Sequence, residues 1–272
     1  MSVLNQNIPC NGFGTYGLKG DIAYNSVLNA IKLGYTHIDT ASIYKNEEYV
    51  GQAIHDSGVA RGNLTVSTKI WFDAIEKGKN GIIDGIKESL KKLKLDYIDI
   101  LYLHGPKEGF IVESWKTMEE IYEGKIKNVK VKYIGVCNYD VCHLEQVLDN
   151  CKIKPFVNQI EISPYLNRDD LVSYCNKHNI IIVAHSSLTK GKKFDDIKLI
   201  SIAKRLDTTP AIILLCWALC RGFKIIPRSS KEEHIMENIK SLSIILSNEI
   251  IEELNKFDEQ FSTHPRYIMI KK

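Results

Sequence analysis

Four side chains of this sequence have the types needed to move a proton to or from an oxygen atom: Asp39, Tyr44, Lys69 and His104. A free phenol and a free ammonium both have a pKa of about 10, so neither exchanges protons readily at neutral pH. If they lie together, the ammonium favours the phenolate and lowers the pKa of Tyr44, while Asp39 keeps Lys69 charged. Tyr44 is then a candidate general acid or base, and His104 could orient the same oxygen.

Each of these residues also has a simpler explanation when it is taken alone. Asp39 could cap a helix, Tyr44 could be a packed aromatic residue, and His104 could be a satisfied core histidine. Lys69 lies inside an apolar run, where burial without a partner would be costly, so pairing with Asp39 is expected in either case. The sequence offers no strong nucleophile with a dedicated base and no metal-ligand spacing. The chemistry is therefore proton transfer, and the electrons must come from a cofactor.

Apolar runs of strand length alternate along the chain with segments of helical periodicity. The predicted strands span residues 11–15, 35–39, 64–69, 98–104, 133–137, 156–161, 180–184 and 224–227. The predicted helices span residues 23–33, 47–57, 80–93, 112–124, 141–150, 168–178, 195–205, 210–221 and 248–257. This alternation predicts an α/β fold, and eight units predict closure into a (β/α)8 TIM barrel. We expect one domain over residues 1–272, with an extra C-terminal helix near 248–257.

The ends of the predicted strands carry polar side chains, and in a barrel of this kind those ends face the active site. In chain order the residues are Asp39, Lys69, His104, Asn138, Gln159, His185 and Arg228. Each can form hydrogen bonds and each follows an apolar run. The sequence therefore predicts that the four proton-transfer residues lie in one site at the rim of the barrel.

Two glycine- or lysine-rich pieces and one arginine bear on phosphate binding. Gly12-x-Gly14-x-x-Gly17 has the spacing of a dinucleotide loop but lacks the βαβ context, which favours a strand and a turn. Arg228, followed by Ser229 and Ser230 at a helix start, suits a phosphate, although a surface arginine with a serine N-cap explains it equally well. The basic loop at 189–193 could close over a pyrophosphate or could be a solvated turn.

Asn46 is a plausible N-cap for the helix that begins at Glu47.

Composition excludes several functions. A net charge of +3 with no basic run interleaved with aromatics argues against nucleic acid. The apolar run at 211–220 is about half the length of a membrane span, and residues 1–6 lack the features of a secretory signal. Seven cysteines without a CxxC pair read as reduced thiols of a cytoplasmic protein. We expect a monomer with no metal and no membrane partner.

From about Gly12 to Asn238 the chain resembles an aldo-keto reductase. The matching stretches are Gly34-Tyr35-x-His37-Ile38-Asp39-Thr40-Ala41-x-x-Tyr44-x-Asn46-Glu47-x-x-Val50-Gly51, Ser67-Thr68-Lys69-x-Trp71, Leu101-Tyr102-Leu103-His104, Ile134-Gly135-Val136-x-Asn138, Asn158-Gln159-Ile160-Glu161 and Ile226-Pro227-x-Ser229 with Glu237-Asn238. The resemblance implies a (β/α)8 barrel that uses NADPH to reduce aldehydes and ketones. It also implies that Tyr44 is the proton donor, that Lys69 and Asp39 tune it, and that His104 orients the carbonyl.

The same resemblance implies two further groups of site residues. NADPH or NADP+ would be bound by Asn138, Gln159, His185, Ser186, Leu188, Arg228, Ser229, His234 and Asn238. The substrate pocket would be lined by Tyr16, Trp71 and Gly105. Within the cofactor group, Asn138 and Gln159 match the positions that hold the nicotinamide carboxamide. Arg228, Ser229 and Asn238 match positions around the adenosine 2′-phosphate and adenine.

Four residues depart from the family pattern. Cys137 stands where a serine usually shares the carboxamide contact, and His185 where a tyrosine commonly stacks on the nicotinamide. Gly105 replaces a tryptophan that often walls the substrate pocket, which implies a wider site. His234 replaces an arginine that often contacts the 2′-phosphate, so the preference for NADPH over NADH is expected to weaken.

A rival interpretation is a nucleotide-binding regulatory or redox-sensor protein on the same barrel, with little turnover. The departures at Cys137, His185 and Gly105 leave room for it, while the intact set of four proton-transfer residues argues against it. A metal-dependent hydrolase on this barrel would need paired ligands at the strand ends, and the sequence does not provide them.

Overall fold

The fold is taken from a computed structural model that describes residues 8–264. Residues 1–7 and 265–272 lie outside the described residues, and so does the expectation about residues 1–6.

Eight short strands form one sheet in which every neighbouring pair is parallel. They are β1 Gly12–Gly14, β2 His37–Asp39, β3 Thr65–Ile70, β4 Ile98–Leu103, β5 Val131–Cys137, β6 Val157–Glu161, β7 Ile181–His185 and β8 Lys224–Ile225. The sheet order follows the chain order from β1 to β8. The first and last strands meet through the bridge between Asn11 and Ile225 and through a bond from the Gly14 amide to the Pro227 carbonyl. The sheet is therefore a nearly closed barrel.

Helices follow the strands around the outside of the barrel. They are α1 Gly20–Lys32, α2 Glu47–Asp56, α3 Phe72–Ile75, α4 Gly78–Leu93, α5 Ile111–Tyr122, α6 Val141–Leu148, α7 Asp169–Lys177, α8 Ile197–Arg205, α9 Pro210–Cys220, α10 Glu232–Lys240 and α11 Asn248–Asn255. Helix α9 illustrates the local causes: Thr209 caps it by accepting from the Ile212 amide, Pro210 fits its first turn, and its apolar side chains are almost all buried. No helix within residues 8–264 is long and apolar enough to span a membrane.

The (β/α)8 barrel predicted from the sequence is confirmed, and all eight strands lie where the apolar runs placed them. The short helix α3 was not predicted because four residues do not establish a helical period. The helix predicted to start at Ser229 and Ser230 instead begins at Glu232. Helix α11 lies within the predicted 248–257. The single-domain organisation over residues 1–272 stays a prediction.

Alternate residues of each strand face the barrel interior, because side chains on a strand have a period of two. In the lower part of the interior the inward residues are apolar and include Ile100, Tyr102, Val157 and Val183. Gly135 makes room for them, since a Cβ there would lie 2.4 Å from Val157 and 3.2 Å from the Tyr102 ring. Toward the C-terminal ends the inward residues become polar. The fold therefore collects polar side chains from several strands at one rim.

Candidate active site

A buried ion pair lies at the centre of this rim. Lys69 Nζ donates to Asp39 Oδ1 at 2.5 Å and to the Thr40 carbonyl at 2.8 Å. Lys69 is fully buried and Asp39 is 2% exposed. Asp39 Oδ2 accepts from Gln159 Nε2 at 2.9 Å and from Ser67 Oγ at 2.6 Å. Asp39 is thus held as the partner of Lys69, and the simpler explanation that it caps a helix does not apply.

Tyr44 lies beside this pair, with its ring centroid 5.2 Å from Lys69 Nζ. Burial would lower the pKa of Lys69, but the charges of Asp39 and Tyr44 outweigh it and hold that pKa above the ordinary value. Burial likewise raises the pKa of Tyr44, and the opposing effect of Lys69 only partly offsets it. The expectation that Lys69 brings the pKa of Tyr44 below that of a free phenol is therefore wrong for this state of the site. The phenol is protonated at neutral pH, which is the form a general acid needs.

The loop that carries Tyr44 is fixed to neighbouring strands by hydrogen bonds. Ser42, in a 3₁₀ turn Ser42–Tyr44, donates to the Lys69 carbonyl at 3.0 Å. Asn46 precedes α2 as predicted, but its side chain does not cap the helix. It donates instead to the carbonyls of Thr15 and Leu18, both at 3.0 Å, because those buried carbonyls need partners. Asn46 thus anchors the loop rather than the helix.

Aromatic rings surround the Tyr44 phenol. The rings of His104 and Tyr16 lie edge-on to it, at 5.6 Å and 5.2 Å between centroids. The Trp71 ring contacts His104 in the same way at 4.8 Å. Gly105 follows His104 and is buried. Burial lowers the pKa of His104 well below its ordinary value, with Lys69 adding to the effect, so the ring is neutral.

The residues expected at the nicotinamide end form one connected network. His185 Nε2 donates to Asn138 Oδ1 at 2.8 Å, and Asn138 Nδ2 donates to the His104 carbonyl at 3.0 Å. Cys137 lies between Asn138 and Gln159, 3.2 Å and 3.8 Å from their side chains. Burial lowers the pKa of His185 to about 3, so this ring too is neutral. The network joins Asn138, Gln159 and His185 to the Lys69–Asp39 pair through the Gln159–Asp39 bond.

The residues expected at the adenosine end lie after β8 and on α10. Arg228 is exposed, and its Nε donates to the Tyr16 carbonyl at 2.9 Å. Ser229 is 8% exposed and accepts from the Lys231 amide at 3.0 Å. His234 is exposed near Glu233, and Asn238 is buried on the same helix. These residues lie apart from Asp39, Tyr44, Lys69 and His104. Arg228 nevertheless borders the same rim through its bond to Tyr16.

The loop after β7 holds the remaining predicted cofactor residues in an unusual backbone. Ser186, Thr189 and Lys190 all have φ values near the left-handed region, at 55°, 51° and 53°. Leu188 is partly buried against the core, and its carbonyl accepts from the Gly191 amide. The loop is therefore an ordered turn. Ser187, which the sequence did not single out, is buried with a hydroxyl that has no partner within the described residues.

Sequence reasoning missed the contribution of the C-terminal segment, residues 261–264. Glu161, at the end of β6, accepts from the hydroxyls of Ser262 and Thr263 and from the amides of Thr263 and His264. The His264 ring is thereby placed edge-on to the rings of Tyr16, at 6.0 Å, and His185, at 5.8 Å. The only signal was the glutamate within Asn158-Gln159-Ile160-Glu161. The C-terminal segment therefore borders the rim beside Tyr16 and His185.

These residues fit the nicotinamide cofactor that the resemblance implies. The partnerless hydroxyl of Ser187 lies two residues beyond the end of β7, beside His185, and offers a donor to a polar group. Arg228 keeps guanidinium N–H groups beyond the one it gives to Tyr16, which suits a phosphate. Across the described residues no three His, Cys, Asp or Glu side chains are grouped as metal ligands would be.

Comparison with known proteins points the same way as the geometry. The sequence pattern described as "Aldo/keto reductase family" matches residues 12–259. Glyoxal reductase of Bacillus subtilis (strain 168) is 38% identical over 262 residues, which are 95% of this chain and 92% of that protein. Methylglyoxal reductase DkgB of Salmonella typhi is 37% identical over 243 residues, which are 89% of this chain and 90% of that protein.

Solved structures give the same result for the fold. The aldo-keto reductase MGS-M4 from a Medee basin deep-sea metagenome library superposes with a TM-score of 0.89 at 35% identity, over 94% of this chain and 93% of that one. An aldo/keto reductase from Brucella melitensis gives a TM-score of 0.86 at 35% identity, over 92% and 95%.

Proposed function

Because this chain belongs to the aldo/keto reductase family, we propose that it is an NADPH-dependent reductase of small aldehydes and ketones. The observation that carries the proposal is the fully buried Lys69–Asp39 pair next to the Tyr44 phenol. A buried charge pair is an expensive arrangement for a fold to keep, and pairs of perturbed titratable groups are typical of catalytic sites.

Tyr44 acts as the general acid in this proposal. Its phenol is protonated at neutral pH because burial raises its pKa, so the proton is available for a carbonyl oxygen. Two donor groups of Lys69 are used by Asp39 and Thr40, which leaves the third for the phenol oxygen. As the proton leaves, the ammonium stabilises the phenolate that forms.

His104 orients the substrate oxygen by a hydrogen bond. Since its ring is neutral, it can donate from one nitrogen without competing with Tyr44 as an acid. The Tyr16 ring contacts Tyr44 and the Trp71 ring contacts His104, so both border the position of the reacting carbonyl. NADPH, when bound, supplies the hydride. Asn138, Gln159 and His185 would hold its nicotinamide end, and Ser186, Leu188, Arg228, Ser229, His234 and Asn238 the remainder.

For the substrate we propose small dicarbonyls and simple aldehydes. Two relatives that are 37% and 38% identical to this chain are named for methylglyoxal and glyoxal. The resemblance implies that a large side chain often stands where this chain has Gly105, so we include larger aldehydes in the proposal.

The test is an aldehyde panel with the purified full-length chain. Methylglyoxal, glyoxal and several aryl and alkyl aldehydes are offered with NADPH, and loss of the reduced nicotinamide absorbance is followed. We expect turnover on at least one dicarbonyl. Tight NADPH binding without turnover on any aldehyde would instead support the regulatory alternative.

A redox-sensor version of that alternative has a specific difficulty. Cys137 is the thiol nearest the catalytic pair, and burial raises its pKa to about 12. A thiol in that state is protonated at neutral pH and is a poor nucleophile toward oxidants. The expected monomer, single domain and cytoplasmic location stay proposals, and size-exclusion chromatography checks the first.

A further inference from the structure

A chain of buried hydrogen bonds continues from Asp39 away from the substrate side. His37 and Asp39 lie two residues apart on β2 and so share the inward face. Ser67 pairs with Asp39 in the register of β2 and β3. Its hydroxyl is 2.6 Å from Asp39 Oδ2, and His37 Nε2 is 2.9 Å from that hydroxyl. His37 and Ser67 are both fully buried.

Counting protons fixes the direction of this chain. The carboxylate of Asp39 can only accept, so the single hydroxyl proton of Ser67 points to Asp39. The hydroxyl must then accept from His37, which requires the His37 tautomer that carries its proton on Nε2. Consistent with this, His37 Nδ1 is buried and has no hydrogen-bond partner among the described residues. Burial lowers the pKa of His37 to about 4, so the ring is neutral.

The backbone of β1 packs closely against the His37 ring. Gly12 of β1 packs directly on the ring, and a Cβ at that position would lie 2.6 Å from His37 Nδ1. No real Cβ makes so short a contact, so this glycine is needed for the histidine to occupy its place. The ring is therefore wedged between β1 and Ser67.

The consequence for Asp39 is that its two oxygens have separate partners. Oδ1 accepts from Lys69, whereas Oδ2 accepts from Ser67 and Gln159. A carboxylate that was free to turn could offer Lys69 either oxygen, or neither. Ser67, fixed from behind by His37, removes that freedom.

We propose that His37 and Ser67 are positioning residues that orient Asp39 toward Lys69 and so keep the Tyr44 acid competent. This inference rests on the proposed reductase function. Neither residue touches the reacting atoms, and no proton travels along the chain during the reaction.

Other titratable groups also influence Asp39 and must be held constant in any test. They are Tyr44 on the loop after β2, His37 on β2, Lys69 on β3, Tyr102 on β4, Cys137 on β5 and His185 on β7. Of these groups only His37 bonds Ser67, through its Nε2, so a substitution at Ser67 leaves the other five without a direct change.

The first test needs no substrate. In the full-length protein with ¹⁵N-labelled histidine, long-range ¹H–¹⁵N spectra distinguish the two neutral tautomers, and a His37→Gln variant assigns the signal. We expect His37 to be the Nε2–H tautomer and to stay neutral down to about pH 5, because its pKa lies below that. A Nδ1–H tautomer, or an imidazolium at neutral pH, would overturn the chain.

The second test measures kcat for aldehyde reduction together with the Kd for NADPH. Ser67→Ala removes the donor that holds Asp39 Oδ2, so kcat should fall by about 10-fold while the Kd for NADPH stays within about threefold of wild type. Ser67→Thr keeps the hydroxyl and restores kcat. Thr68→Val is the matched control, since Thr68 is equally buried on the same strand but donates to Glu47 on the outer face, at 2.7 Å.

A merely structural role would weaken NADPH binding together with kcat in Ser67→Ala, or would leave kcat unrestored in Ser67→Thr, and either result would refute the proposal. If Ser67→Ala does not fold, Ser67→Cys, with a weak donor of similar size, must give a smaller fall in kcat at an unchanged Kd for NADPH, and an unchanged kcat refutes the proposal equally. An inactive wild-type protein with the expected His37 tautomer would count against the reductase function and not against the hydrogen-bond chain.

Discussion

Removing the charge of Asp39 should destabilise the fold in a way that depends on pH. Asp39→Asn leaves the fully buried ammonium of Lys69 without a counter-ion. Breaking a buried ion pair by deleting one partner costs about 3–5 kcal/mol in the free energy of unfolding. Lys69 can escape part of this cost by losing its proton, because burial alone depresses its pKa.

The sign of the pH dependence follows from proton binding. In the wild type the pKa of Lys69 is raised in the folded state, so its stabilising contribution is complete at neutral pH, declines once the pH exceeds the unfolded value of about 10.4, and is gone when the pH passes the raised value. In Asp39→Asn the folded-state pKa falls below the unfolded value of about 10.4, so the unfolded chain binds more protons in between. Stability of the variant should therefore rise with pH, by up to about 1.4 kcal/mol per unit.

Urea unfolding of both proteins between about pH 6 and pH 10 measures this difference. Asp99→Asn is the matched control, because Asp99 is a buried carboxylate paired with Arg61 at 2.5 Å and with the exposed Lys132 at 2.8 Å. Arg61 cannot deprotonate and Lys132 remains solvated without its partner, so the control should lose stability without regaining it at high pH. A loss below about 1 kcal/mol in Asp39→Asn, or a loss that does not change with pH, would refute the account of the ion pair.

Two further predictions concern His104 and Arg228. Because the pKa of His104 lies well below its ordinary value, the rate of aldehyde reduction should not fall between about pH 7 and pH 6. The substitution His104→Ala should lower kcat/KM by about 100-fold. A fall in the wild-type rate with an apparent pKa of about 6.5 that is absent in His104→Ala would contradict a neutral ring. Arg228→Gln should raise the KM for NADPH by about 10-fold and leave the KM for NADH nearly unchanged, since the charge-assisted bond is made only to the 2′-phosphate; equal changes for the two cofactors would refute that assignment.

The fold could be predicted because two sequence signals mark the strands. Each is an apolar run, and most end in a polar residue such as Asp39 or His185 that only a barrel rim brings together. The closeness of Asp39 and Lys69 could be predicted because an unpaired lysine inside a strand has no other stable arrangement.

Features that depend on register and on long-range docking could not be predicted. The bond between Ser67 and Asp39 requires a particular register of β2 on β3. The contact of Glu161 with His264 spans 103 residues and depends on how the C-terminal segment crosses the rim. The predicted direction of the pKa shift of Tyr44 was wrong because the sequence shows the neighbouring charge of Lys69 but not the depth of burial. Burial has the larger effect on that pKa.

The central claim is that the Tyr44 hydroxyl gives its proton to the substrate, and Tyr44→Phe removes that hydroxyl alone. With Tyr49→Phe as the control for loss of a nearby phenol, single-turnover reduction of methylglyoxal and fluorescence titration with NADPH should be measured on both variants. We expect Tyr44→Phe to lose at least about 100-fold in the rate of reduction while its affinity for NADPH stays within about threefold of wild type. Reduction by Tyr44→Phe at the wild-type rate would contradict the claim.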